Sequence, residues 1–127
     1  MKDLHSKIGV VQALAPVVVA ATATSSAIDM QGFNSAVVVV NSGAIVGSGD
    51  YTVSLTECDT SDGTYTAVAA GDLIGTFPAS LEAASVAKVG YIGTKRYLKT
   101  VTTKNSGTSI AVGIVVLQGN PSDAPVA

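Results

Sequence analysis

The sequence predicts an all-β fold, a β-sandwich or jelly-roll-like barrel with extended N- and C-terminal arms. Three observations carry that expectation. β-Branched residues dominate and are broken at short intervals by Gly, Ser, Asn and Asp, which build tight turns. Apolar and polar residues alternate along stretches such as "DYTVSLTE" (50–57), the mark of a strand with one buried face. Helical periodicity is almost absent. The 127 residues fit one domain, 1–127, with 1–16 as an N-terminal arm and 119–127 as a C-terminal tail.

Strands are expected at about 8–12, 17–22, 27–31, 35–42, 50–57, 65–69, 86–93, 96–104 and 109–118. "SAVVVVNS" and "SIAVGIVVLQG" are apolar throughout, so both faces should be covered, by a second sheet and a cover or by a neighbouring subunit. Gly113 inside the last strand suggests a bulge or a close backbone approach. "NSG" (41–43) and "GSGD" (47–50) flank "AIV", read as a short excursion between two strands. In "DYTVSLTE" Tyr51, Val53 and Leu55 point one way, and Thr52, Ser54 and Thr56 the other. "ECDTSDG" then reads as the polar loop of a hairpin. "PASLEAASVAK" (78–88) is the one candidate helical turn, with Ser80 as its cap. Gly93 and Thr94 are expected in a tight turn between strands. In "RYLKTVTTK" Leu98, Thr100 and Thr102 oppose Tyr97, Lys99, Val101 and Thr103, and either face could be the buried one. "KNSGTS" (104–109) reads as a hairpin loop with Gly107 supplying a positive φ. The tail "GNPSDAPVA" has two prolines and no periodicity.

Composition narrows the function. Apolar residues make up 47% and charged residues 13%, with a mean hydropathy of +0.46. About 25% charge is usual for a globular domain, so part of this surface is expected to face other molecules and not water. The net charge of −2 and the absence of a basic, aromatic-studded patch argue against nucleic acid. A single cysteine, Cys58, excludes an intrachain disulfide and a multi-thiolate zinc site. The longest apolar run near the N-terminus, "ALAPVVVAA", has nine residues, well short of the ~20 of a membrane helix. The same region resembles a secretory leader, but Asp3 and His5 in its basic segment, and Gln12 and Pro16 in its apolar one, weigh against that.

Sites of chemistry are sparse. Counting back from Gly63, the first ligand position of an EF-hand would be Cys58, so that pattern fails; a looser calcium site through Asp59, Ser61 and Asp62 stays open. His5 is the only histidine and lacks any HxxxH or HExxH context. No GxSxG elbow or phosphate loop is present, so no catalytic residue, cofactor or metal is assigned and no enzyme is expected. A small hydrolase would need His5 or a close Asp/Glu pair in a pocket. A carbohydrate- or host-binding module would need a groove lined by Tyr51, Tyr65, Tyr91 or Tyr97. The strongest pattern is charge segregation. Lys88, Lys95, Arg96, Lys99 and Lys104 lie in a segment without acids, and Asp50, Glu57, Asp59, Asp62, Asp72 and Glu82 in one without bases. Lys88, Lys95, Arg96, Lys99, Lys104, Glu57, Asp59 and Asp62 are therefore candidate assembly contacts between subunits. The competing reading pairs them within one chain.

"GFNSAVVVVNSGAI", "DYTVSLTECDTSDGTYTAVAAGDLIGTF" and "VGYIGTKRYLKTVTT" together resemble small β-rich virion proteins of tailed bacteriophages. The resemblance covers most of residues 30–118 and rests on strand and turn chemistry. It implies a structural protein of the virion, most like a head decoration or cement protein that binds the major capsid protein or other virion proteins. A homo-oligomer, with a trimer favoured, is implied, with assembly in the host cytoplasm, no nucleic acid and no membrane. A head–tail connector or tail protein is the nearest alternative, and "MKDLHSKIGVVQALAP" would suit a capsid-pairing arm. No catalytic residue is implied.

Overall fold

The computed structural model describes residues 5–121, and these form two antiparallel sheets packed face to face. A 3-10 turn (His5–Lys7) precedes β1 (Gly9–Val19), β2 (Ala23–Thr24), β3 (Ile28–Asp29), β4 (Phe33–Val46), β5 (Asp50–Cys58) and β6 (Thr66–Ala67). A second 3-10 turn (Ala70–Asp72) leads into β7 (Leu73–Ile74), β8 (Val86–Tyr91), β9 (Tyr97–Ser106) and β10 (Ser109–Pro121). The first sheet has the order β1-β10-β4-β8-β7, and the second β2-β9-β5-β6 with β3 also on β9. The chain crosses between sheets at β1–β2, β3–β4, β4–β5, β6–β7, β8–β9 and β9–β10, so this is the expected all-β sandwich with jelly-roll-like connections.

The core forms where the alternation points inward from both sheets. Ala36, Val38, Val40, Val89, Tyr91, Ile110, Val112, Ile114 and Val116 come from the first sheet. Tyr51, Val53, Leu55 and Leu98 face them from the second. Two polar side chains tie the layers. The Tyr51 hydroxyl lies 2.9 Å from the Val19 carbonyl oxygen, to which it donates, and 3.2 Å from that of Thr108. Gln118 Nε2 donates to the Asp29 carbonyl at 2.8 Å. On β9 the buried face is Leu98, Thr100 and Thr102, which settles the ambiguity of "RYLKTVTTK".

Several expectations are corrected. Residues 9–16 are not an arm: they belong to β1, an edge strand that pairs with β10 and runs on through Pro16 to Val19. Proline is tolerated there because an edge strand needs no outward amide donor and the register shifts between Gln12, Leu14 and Val17. Gly119–Pro121, expected in the tail, extend β10 beside β4; residues 122–127 lie outside those described. "AIV" is no excursion, since β4 continues to Val46 and pairs with Ser109 and Ile110 across a bulge. Segment 78–85 forms bends, not a helix. It is held by its backbone, with Leu81 N–H donating to Tyr51 O at 2.8 Å and Ala84 N–H to Gly43 O at 3.0 Å. Gly93 and Thr94 lie in the passage from β8 to β9, and "KNSGTS" in that from β9 to β10. Both link the two sheets and are not hairpins within one. Gly107 does take φ = +81°. Two short strands, β2 and β7, lie outside the expected spans.

Candidate assembly interface

The most distinctive surface is the outward face of the first sheet. Its five strands hold a single charged residue, Lys88. β4 and β10 are not buried on both faces: inward positions are buried and outward ones only half-buried. Strand register brings the outward residues into rows. One row crosses all five strands as Ile74, Gly90, Val37, Leu117 and Val10. The next runs Lys88, Val39, Val115 and Gln12. Beyond them, Val86, Asn41 and Gly113 align, and Ala111 pairs with Val18. Val10 is 62% exposed, Val18 64%, Ile74 62% and Val86 68%. Each strand residue covers roughly 16 Å² of sheet, so these five strands present about 700 Å². Much of this face is apolar, interrupted by Gln12, Asn41 and Lys88, and it is large beside the ~300–600 Å² of the largest apolar patch on a typical monomer.

The face is not flat. Pro16 sits over Gly113, where an added Cβ would lie 3.2 Å from Pro16 Cγ. This confirms the close approach expected at Gly113. The bulged part of β1 thereby stands as a ridge beside a groove of about 630 Å³ lined by Leu14, Pro16, Val39, Gly43, Gly113 and Val115 among others. The groove contains no titratable side chain.

The outer face of the second sheet differs in kind. Thr52, Ser54 and Thr56 alternate outward from β5, next to Thr103, Val101 and Lys99 of β9. The candidate charges gather around this sheet and its end, and several pair within the chain. Lys95 Nζ contacts Asp59 Oδ2 at 2.9 Å, in a solvent-exposed pair that salt screens. This partner raises the pKa of Lys95. Arg96 grips Asp29 through two nitrogens, each at 3.0 Å, and holds its carboxyl below the usual carboxylate range. Asp29 lies outside the acidic segment read from the sequence. Lys99 lies 4.5 Å from the centre of the Tyr65 ring, a cation–π contact. Glu57 accepts the Tyr91 hydroxyl at 2.8 Å, and burial together with this carboxylate pushes the phenol above its ordinary range. Lys104 and Asp62 are exposed, and Lys88 stands apart on the first sheet. The eight candidates thus do not form one patch.

The acidic loop is a turn off a real hairpin, since Thr56 and Glu57 pair with Ala67 and Thr66. Gly63 N–H donates to Thr60 O, and the Tyr65 hydroxyl to Ser61 O. Among the described residues, no group of three or more His, Cys, Asp or Glu converges as a metal site. The tyrosine groove required of a carbohydrate module is not built: Tyr51 and Tyr91 are buried, and Tyr65 and Tyr97 lie under Lys99 and Arg96. A second groove of about 500 Å³, lined by Phe33, Tyr91, Lys95 and Arg96 among others, contains no carboxylate. No helix among the described residues is long and apolar enough to cross a membrane. Sequence reasoning missed Val10, Val18 and Ile74 as surface residues; "PVVV" was the available signal, an apolar run that no alternation assigns to the core.

No protein-family model matches the chain, and no curated protein does. Among solved structures, the chain is similar to one in "Structure of infectious bursal disease virus Gx strain", at 13% identity and a TM-score of 0.47. The match covers 94% of this chain and 33% of that one, so the chain spans about a third of its match. Likeness at this level carries nothing into the functional reading.

Proposed function

We propose that this chain is a structural subunit of a virion, a decoration or cement protein that stabilises the head of a tailed bacteriophage through contacts with the major capsid protein and with its own copies. The observation that carries this reading is the apolar outward face of the first sheet, about 700 Å² with one charge. A lone soluble molecule rarely exposes such a face, which marks it as a contact surface for another macromolecule. Affinity then comes from apolar burial, at about 25 cal/mol per Å² before association costs. A symmetric shell multiplies weak single contacts into avidity. The resemblance of residues 30–118 to small phage virion proteins supplies the class of assembly. The polar second sheet, with Lys99 and Lys104, leaves a second surface for a charged partner.

Electron microscopy of purified particles, with this polypeptide labelled, tests the reading. Regular label over the head is expected. Label confined to the neck or tail would move the protein to a connector or tail role. Its absence from shell, vertices and tail would refute the proposal.

A further inference from the structure

We infer that the outward face of the first sheet is covered by the same face of a second copy of this chain, in a two-fold contact. The inference rests on the structural-subunit reading and assigns one surface within it. Three observations lead to it. First, the face presents about 700 Å² over its five strands, close to the ~800 Å² per partner of a stable interface. Second, its one charged residue, Lys88, and the row of Ile74, Val37, Leu117 and Val10 give the charge-poor, apolar composition of an interface core. An apolar face needs an apolar counterpart. The other sheet offers Thr52, Ser54, Thr56 and Lys99, so the matching surface on a second copy is this same face, and the contact is isologous.

Third, the relief on the face is self-complementary in kind. The β1 ridge carries Val17 and Val18, 48% and 64% exposed, directly beside the groove over Gly113 and Gly43. Stacked face to face, two copies would bring these sheets about 10 Å apart. This replaces the trimer implied by the phage resemblance with a dimer. It leaves the polar second sheet, with Lys99 and Lys104, to meet the capsid.

The test uses the full chain. Light scattering after size exclusion is expected to give twice the 12.6 kDa chain mass. Val115→Glu, at the centre of the face, should raise the dissociation constant by on the order of 100-fold. Val18→Glu, at an exposed position, should weaken the dimer without threatening the fold, and circular dichroism checks that both variants stay folded. In a Cys58→Ser background, Val115→Cys is expected to cross-link two copies with a short bifunctional thiol reagent, and Ser54→Cys on the other sheet is not. A folded monomer at ~100 μM, a trimer, or a dimer that cross-links through Ser54→Cys but not Val115→Cys would overturn the inference. Binding of the same variants to purified heads is scored separately. A monomer that still binds heads would sink the two-fold contact and leave the virion role standing.

Discussion

Replacing Tyr51 by phenylalanine isolates one bond that holds the two sheets in register. Tyr51 is fully buried on β5, and its hydroxyl reaches the last carbonyl of β1 and the carbonyl of Thr108 in the β9–β10 passage. Tyr51→Phe keeps the ring and nearly all of its apolar burial, so the packing contribution cancels. What remains is the loss of a net-favourable hydrogen bond, about 0.5–1.5 kcal/mol, and up to ~1–3 kcal/mol if the buried acceptors stay unsatisfied. The expected destabilisation is about 1–2 kcal/mol. For a domain of this size, that lowers the melting temperature by roughly 3–10 °C. Equilibrium urea unfolding should show a lower midpoint with an unchanged slope, since the area exposed on unfolding is the same. Wild type and variant must be compared at one protein concentration, because self-association adds to apparent stability. Tyr65→Phe is the control: its hydroxyl donates to Ser61 O in an exposed loop, and a change within about 0.5 kcal/mol is expected. If Tyr51→Phe changed stability no more than Tyr65→Phe does, the cross-sheet bond would have no part in holding the layers.

Two further perturbations probe other parts of the fold. Asp29, held by Arg96, has a lowered pKa, so its contribution is present above the unfolded carboxylate pKa of about 3.9 and is lost as pH falls through the lower folded value. Asp29→Asn should therefore lower stability at neutral pH and flatten the loss of stability below about pH 4, as pH-dependent melting would record; an acid limb identical to wild type would refute the assignment. Gly107→Ala should destabilise by about 2 kcal/mol or more, because φ is +81° and a Cβ would meet the Ser48 carbonyl and lie 2.5 Å from Gly49 Cα. Gly32→Ala, also at positive φ (+91°) but with nothing within 4 Å, should cost only about 1 kcal/mol. Equal losses in urea unfolding would show that the backbone angle, and not the tight corner, sets the difference.

The candidate site was only partly legible in the sequence. The runs "AVVVV" and "IAVGIVV" signalled strands with more apolar surface than one core could take, and the outward residues Val37, Val39, Val115 and Leu117 are the excess. The charge segregation misled, because sequence proximity does not set spatial proximity. Arg96 turns to Asp29, 67 residues away, and Lys88 projects from a different sheet. Residues 1–16 suit a capsid-pairing arm on sequence grounds, yet Pro16 lies within β1. A bulge over Gly113 absorbs it, and that bulge exists only because β10 lies alongside.

The sequence by itself determined that this chain is built of strands, where most of them lie, and which residues of β5 face inward. Those properties follow from side chains alternating across an extended backbone, which needs no partner to be defined. It also determined that the surface would be short of charge. The tertiary structure alone decided which strands share a sheet, that Leu98, Thr100 and Thr102 are the buried face of β9, and that the excess valines gather on one outward face. These depend on pairings between residues far apart in the chain, such as Gly9 with Gln118, whose register fixes which side chains stand in one row.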